Sequence, residues 1–259
     1  MESTLAKSPD RRLWLRAQRR NYDRPMSVNR RTFLKFGTAL TAGTLVQPFA
    51  EPIASALAAS TDVTHGARSS KQIALTFHGA GPTSYANSLL EIFKSTSTPV
   101  TVFAIGSWLK ANPTMAKKIL DGGHDIGNHT MNHYQMKTLN AAKVKSEIAG
   151  CAAELKSLIG NHGAFFRPSG TQYSTELIRK TAATFGYTQC ISYDVDSHDY
   201  QDPGKEEVIK NVMSSIKGGS IVSLHFGHKN TVEAIPALIN KLHDAGFKPV
   251  TLTQLIGKK

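Results

Sequence analysis

From Gln72 onward, short apolar and β-branched runs alternate with longer stretches whose apolar residues recur at helical spacing. The short runs at residues 73–77, 100–105, 125–127, 164–167, 188–194, 220–224 and 248–251 predict strands. Between them, residues 114–120, 140–159, 174–185, 205–216 and 231–245 predict helices. Gly122-Gly123, Gly186, Gly218-Gly219 and Gly246 follow several of those helices, where left-handed caps are expected. Strand–helix alternation sustained over this length predicts a parallel sheet, either open or closed into a (β/α) barrel. The stretch carries no internal repeat and no interdomain linker, so residues 71–259 read as one domain, with 59–70 as a polar lead-in.

The first fifth of the chain has a different pattern. Residues 1–58 hold ten lysines and arginines against four acidic residues, half of the net charge of +12 of the 259-residue chain. The rest is only mildly basic and has no basic stripe interleaved with aromatics, which argues against nucleic acid as a partner. An Arg-rich stretch ends in Arg30-Arg31-Thr32-Phe33-Leu34-Lys35, a weakly apolar run follows, and Ala56-Leu57-Ala58 offers a small-residue cleavage site. This succession resembles a twin-arginine export signal, so the twin-arginine machinery is an expected partner and the expected location is secreted or extracytoplasmic. The apolar run is too short and too polar for a stable membrane span. Cys151 and Cys190 then face an oxidising compartment, either as one disulfide or as two buried thiols.

The polar residues that stand out fall at one place in each unit. His78 follows the first strand, His129 and His133 the third, and Arg167 ends the fourth. Residues 194–200 follow the fifth strand, and His225 ends the sixth. Parallel strands bring all of these to the C-terminal face of the sheet, where α/β folds keep their chemistry. His129 and His133, four apart on the first turn after a strand, face the same way and can share one metal ion. Arg167 taken alone reads as a strand-end salt-bridge residue, and Asp194 as a cap or turn carboxylate. His198 and His228 flank the cluster.

These motifs resemble those of the polysaccharide deacetylase family, whose catalytic unit is the NodB-homology domain of carbohydrate esterases. The resemblance rests on His129-Thr130-Met131-Asn132-His133, Phe166-Arg167-Pro168-Ser169-Gly170, Asp196-Ser197-His198-Asp199-Tyr200 and Ser223-Leu224-His225, in that order. It implies a distorted (β/α) barrel that removes N- or O-acetyl groups from a cell-wall or environmental polysaccharide with a divalent metal, zinc or a similar ion. On that resemblance His129 and His133 would hold the metal. His225 would be the general acid and Asp199 its carboxylate partner. Arg167 would position the catalytic base, Tyr200 and Leu224 would line the acetyl groove, and Asp196 would contact substrate.

The first motif departs from the family pattern. Where the family carries two aspartates, one as base and one as third metal ligand, this chain has Thr76-Phe77-His78-Gly79-Ala80-Gly81-Pro82. Three readings follow: His78 is the third metal ligand, or it is the base, or hydrolysis is lost and the domain only binds glycan. A hydrolase acting on an ester or amide outside sugars is a further alternative. The retained His129, His133, Asp199 and His225 favour activity, with His78 doing the work of the missing carboxylates.

Overall fold

The computed structural model describes residues 62–257; the export signal expected over 1–58 and the first residues of the lead-in lie outside them. Strand β1 (Gln72–Gly79) is the hub of a six-stranded parallel sheet. On one side it pairs with β2 (Thr101–Ala104), which pairs with β3 (Asp125–Asn128). On the other it pairs with β5 (Ile221–His225), which pairs with β4 (Val195–Asp196). The start of β1 also pairs with β6 (Lys248–Pro249).

The helices are α1 (Thr83–Ser95), α2 (Gly106–Ala111), α3 (Thr114–Asp121), α4 (Ala141–Ile159), α5 (Glu176–Ala183), α6 (Lys205–Ser215), α7 (Lys229–Asp244) and α8 (Leu252–Ile256). Five match the periodicity. Helices α1, α2 and α8 were not expected. In α1 the buried face reduces to Ala86, Leu89 and Phe93, and no side chain caps its start after Pro82, so the pattern is thin. The glycines at 123, 186, 219 and 246 adopt the expected positive φ.

Residues 164–167 and 188–194, expected as strands, shrink to single bridges, Asn128 to Phe166, Phe166 to Cys190 and Val63 to Ile191. The lead-in fills the gap this leaves. Val63 N–H donates to Cys190 O, Ser192 N–H donates to Val63 O, and Gly66 N–H donates to Gly219 O. Arg68 makes an ion pair of 2.8 Å with Asp194. Residues 62–70 are therefore a stitched part of the wall, and the whole is a distorted (β/α) barrel.

Strand alternation sorts the core. On β1, Ile73, Leu75 and Phe77 face the helices and join a large apolar cluster with Phe93, Leu224 and Phe226. Ala74 faces the barrel interior with Phe103, Ile191, Ile221 and Leu252. Rising along that interior face, Ala74 is followed by Thr76 and then His78, so the same alternation that builds the core delivers an imidazole to the strand's C-terminal end. The two cysteines are buried and unpaired, which decides the alternative the sequence left open. Burial pushes the Cys151 thiol up to about 12 and Cys190 up to about 11. Among the described residues no helix is long and apolar enough to cross a membrane.

Candidate active site

His78 and His225 are register partners on adjacent strands, so their side chains leave the same face together. His78 Nδ1 lies 2.8 Å from His225 Nε2, and His225 Nδ1 lies 2.6 Å from Asp199 Oδ1. At the other end, Arg167 Nη1 is 3.2 Å from His78 Nε2. An arginine can only donate, which leaves His78 Nε2 as acceptor and puts the ring proton on Nδ1. That proton is donated to His225 Nε2, and His225 in turn donates from Nδ1 to the carboxylate. The four side chains form one chain of hydrogen bonds with a single direction, Arg167 to His78 to His225 to Asp199.

Both ends are anchored. Arg167 is 1% exposed and donates to Ile191 O, Ser192 O and Thr76 Oγ1, with the Phe103 ring 4.2 Å from its guanidinium. Burial lowers it to about 9. Asp199, fully buried, also accepts from His225 N–H at 2.7 Å and Thr231 Oγ1 at 2.6 Å. Burial alone would raise its carboxyl, but the bonds and charge from His225 and Thr231 outweigh it and hold it below its ordinary value. Burial, followed by the neighbouring histidines and Arg167, keeps His78 well below its ordinary value.

His129 and His133 do meet, with ring centroids 5.0 Å apart. A loop brings them together, not the helical turn expected from their spacing: Thr130 and His133 have φ of 67° and 58°. His129 donates from Nδ1 to Arg167 O at 2.9 Å, and its Nε2 is a buried nitrogen with no partner. Its ring stacks on His78 at 4.3 Å with an interplanar angle of 30°.

The resemblance implied a divalent ion held by three protein groups, and the donors present do not make that set. Two nitrogens, from His129 and His133, are on offer. His78 stacks on His129 instead of aiming at a shared point, and both of its own nitrogens are engaged. A side chain at position 79 would meet Val102 Cγ1 at 2.9 Å and Ala104 Cα at 3.2 Å, so β2 occupies the room a second aspartate would need there. Among the described residues no three His, Cys, Asp or Glu side chains converge as a metal site. A catalytic zinc centre takes three protein ligands.

The other expected residues divide. Tyr200 stands over the site with its ring 5.5 Å from His225, and Asp196 lines the same cavity and accepts from His198 N–H. That cavity, of about 430 Å³, also holds His78, His129, His133, Arg167 and His225. Leu224 does not belong to it. It alternates with His225, points outward and is fully buried in the main core, so Ser223 takes the groove position. His225 was expected as a general acid, but in this arrangement its Nε2 carries no proton. Arg167, expected to orient a carboxylate, orients an imidazole. The sequence reading missed Gln135, Gln172 and Tyr193, which also line the cavity and sit on loops without a motif of their own.

The fold and this cavity define an α/β barrel with a histidine-rich pocket at the C-terminal ends of its strands. Residues 65–190 match the profile of the polysaccharide deacetylase family. The peptidoglycan-N-acetylglucosamine deacetylase of Bacillus cereus is 31% identical over 193 residues, 73% of this chain and 90% of that protein. Among solved structures, a wild-type CE4 family pseudoenzyme from Bacillus anthracis superposes with a TM-score of 0.71 at 28% identity, over 75% of this chain and 68% of its own. A mutant of that pseudoenzyme, described as having restored enzymatic activity, gives 0.71 at 29% identity, over 75% and 70%. The chain belongs to the polysaccharide deacetylase family.

Proposed function

We propose that this domain acts outside the cytoplasm, after twin-arginine export, as a glycan-binding member of its family that recognises acetylated cell-wall or environmental polysaccharide without hydrolysing it. One observation carries the reading: His78 is bonded at both nitrogens, between Arg167 and His225. That single residue takes the place of the base, withholds itself from a metal set, and fills the lone pair through which His225 would exchange a proton. The likeness to a pseudoenzyme of the same fold supports it. Tyr200, half exposed, supplies an apolar face for a sugar ring, while Asp196, Gln135 and Gln172 supply polar groups for its hydroxyls.

A second reading, metal-dependent deacetylation, is favoured by a different observation. The His129 ring packs against His133 with its Nε2 unpartnered, beside an intact His225–Asp199 pair. The two readings separate in a calorimetric titration of the full chain with the N-acetylglucosamine tetramer, run in chelator and again with added zinc. Binding that is unchanged by chelator supports the glycan-binding reading. Binding that requires stoichiometric zinc supports the deacetylase.

A further inference from the structure

We propose that Glu147 is the positioning residue of the histidine loop, the group that holds His133 against His129. Glu147 and Asp199 are buried residues that carry carboxylates, and only Asp199 of the two belongs to a family motif. Glu147 stands on α4 at 1% exposure. Its Oε2 accepts from Asn132 N–H at 2.7 Å and its Oε1 from Asn132 Nδ2 at 2.9 Å. Its own carbonyl accepts from Met131 N–H at 2.9 Å. Both atoms of the carboxylate are thus spent on the one residue next to His133.

The loop needs such a clamp. Thr130 and His133 are both left-handed, a conformation that is strained for non-glycine residues and persists only where the surroundings over-determine it. From the opposite side, Gly106 N–H and Ser107 N–H at the start of α2 donate to Thr130 O and Met131 O. Met131 packs so closely over Gly106 that a side chain there would lie 2.6 Å from its sulfur. The loop is therefore held between α2 and Glu147, and Glu147 supplies its charged hydrogen bonds. Lys143, 3.8 Å from Oε1 and 4.9 Å over the Tyr134 ring, balances the buried charge from solvent. Removing the carboxylate leaves Asn132 N–H without its acceptor and His133 free to leave its strained φ.

The test uses the full chain with Glu147→Ala, Glu147→Gln and Asn132→Ala. It compares the ring signals of His129 and His133 by two-dimensional NMR with those of the distant His162 and His243. Glu147→Ala shifts the His133 and His129 signals and leaves the distant pair alone. Glu147→Gln restores them, because its amide oxygen accepts from Asn132 N–H while its amide nitrogen faces a turned Asn132 amide. Should Glu147→Ala fail to fold, Asn132→Ala removes half of the clamp and gives the same shift to a smaller degree. Loss of stability with wild-type His133 signals in the variant that folds would overturn the proposal. So would a Gln variant as disturbed as the Ala one. A second arm rests on the glycan-binding reading: affinity for the N-acetylglucosamine tetramer falls about ten-fold in Glu147→Ala and less than about three-fold in Glu147→Gln. Shifted ring signals without that loss uphold the clamp and count against the glycan reading alone.

Discussion

Acidification from pH 7.5 to 5.5 is expected to destabilise the domain steeply, because three of its histidines are built to be neutral. His78 accepts from Arg167 at Nε2, and His124 accepts from Val100 N–H at Nδ1. His129 keeps a bare, buried Nε2. A proton added to any of them would face a donor or a dry space, and burial holds all three below their ordinary value. The folded state therefore binds fewer protons than the unfolded chain, whose histidines titrate near 6.5, so stability rises with pH through the window below that value and is lost on acidification. For each histidine that stays neutral across the whole interval the loss is about 1.4 kcal/mol, so the three set a ceiling of about 4 kcal/mol. His133, more open to solvent, is lowered as well, by burial and then the neighbouring His225, and adds to this loss in the same direction. Urea unfolding of the full chain in chelator, at the two pH values, measures the difference directly. His78→Gln should reduce it by about a third. A wild-type loss below about 1 kcal/mol would refute the neutral-histidine reasoning, as would an unchanged loss in the variant.

Other outcomes follow from the same geometry. Asp199→Asn puts an amide N–H₂ among three converging donors, so it should cost about 3 kcal/mol in urea unfolding; less than about 1 would mean the carboxylate is not the anchor of the chain. Gly218→Ala would place a methyl 2.1 Å from Ser70 O and 2.6 Å from Arg68 O, and should destabilise by about 2 kcal/mol or more. An unchanged transition there would show that residues 62–70 do not seal the barrel. Cys151 and Cys190, buried and with thiols pushed up to about 12 and about 11, should resist a thiol reagent in the native protein and both react in urea. Rapid native labelling of either would contradict their burial.

The barrel was readable from sequence because alternation and helical spacing survive along β1, β5 and the long helices. It was unreadable at residues 164–167 and 188–194, where apolar runs make only single bridges and the lead-in supplies the missing pairing. At the site, motif positions located His78, His129, His133, Arg167, Asp199, Tyr200 and His225 in one place, since each lies at or just beyond the C-terminal end of a parallel strand or bridge. The direction of their hydrogen bonds was beyond the motifs. Whether His78 replaces an aspartate or blocks its neighbours depends on the register that sets it against His225, and on which nitrogens Arg167 and His225 occupy. Leu224 was misplaced for a simpler reason: on a strand, the residue next to a pocket-facing histidine faces away. Glu147 escaped notice because a lone glutamate in an amphipathic helix reads as surface, and only the loop packed against α4 reveals it.

Acetate release bears most directly on the claim that His78 has silenced this site. The full chain, first shown to bind the N-acetylglucosamine tetramer, is incubated with that tetramer and with peptidoglycan, with zinc or cobalt and in parallel with chelator. The account predicts acetate no higher with either metal than with chelator, although the glycan stays bound. Multiple turnovers of acetate that depend on metal, and that vanish in His133→Ala, would contradict it.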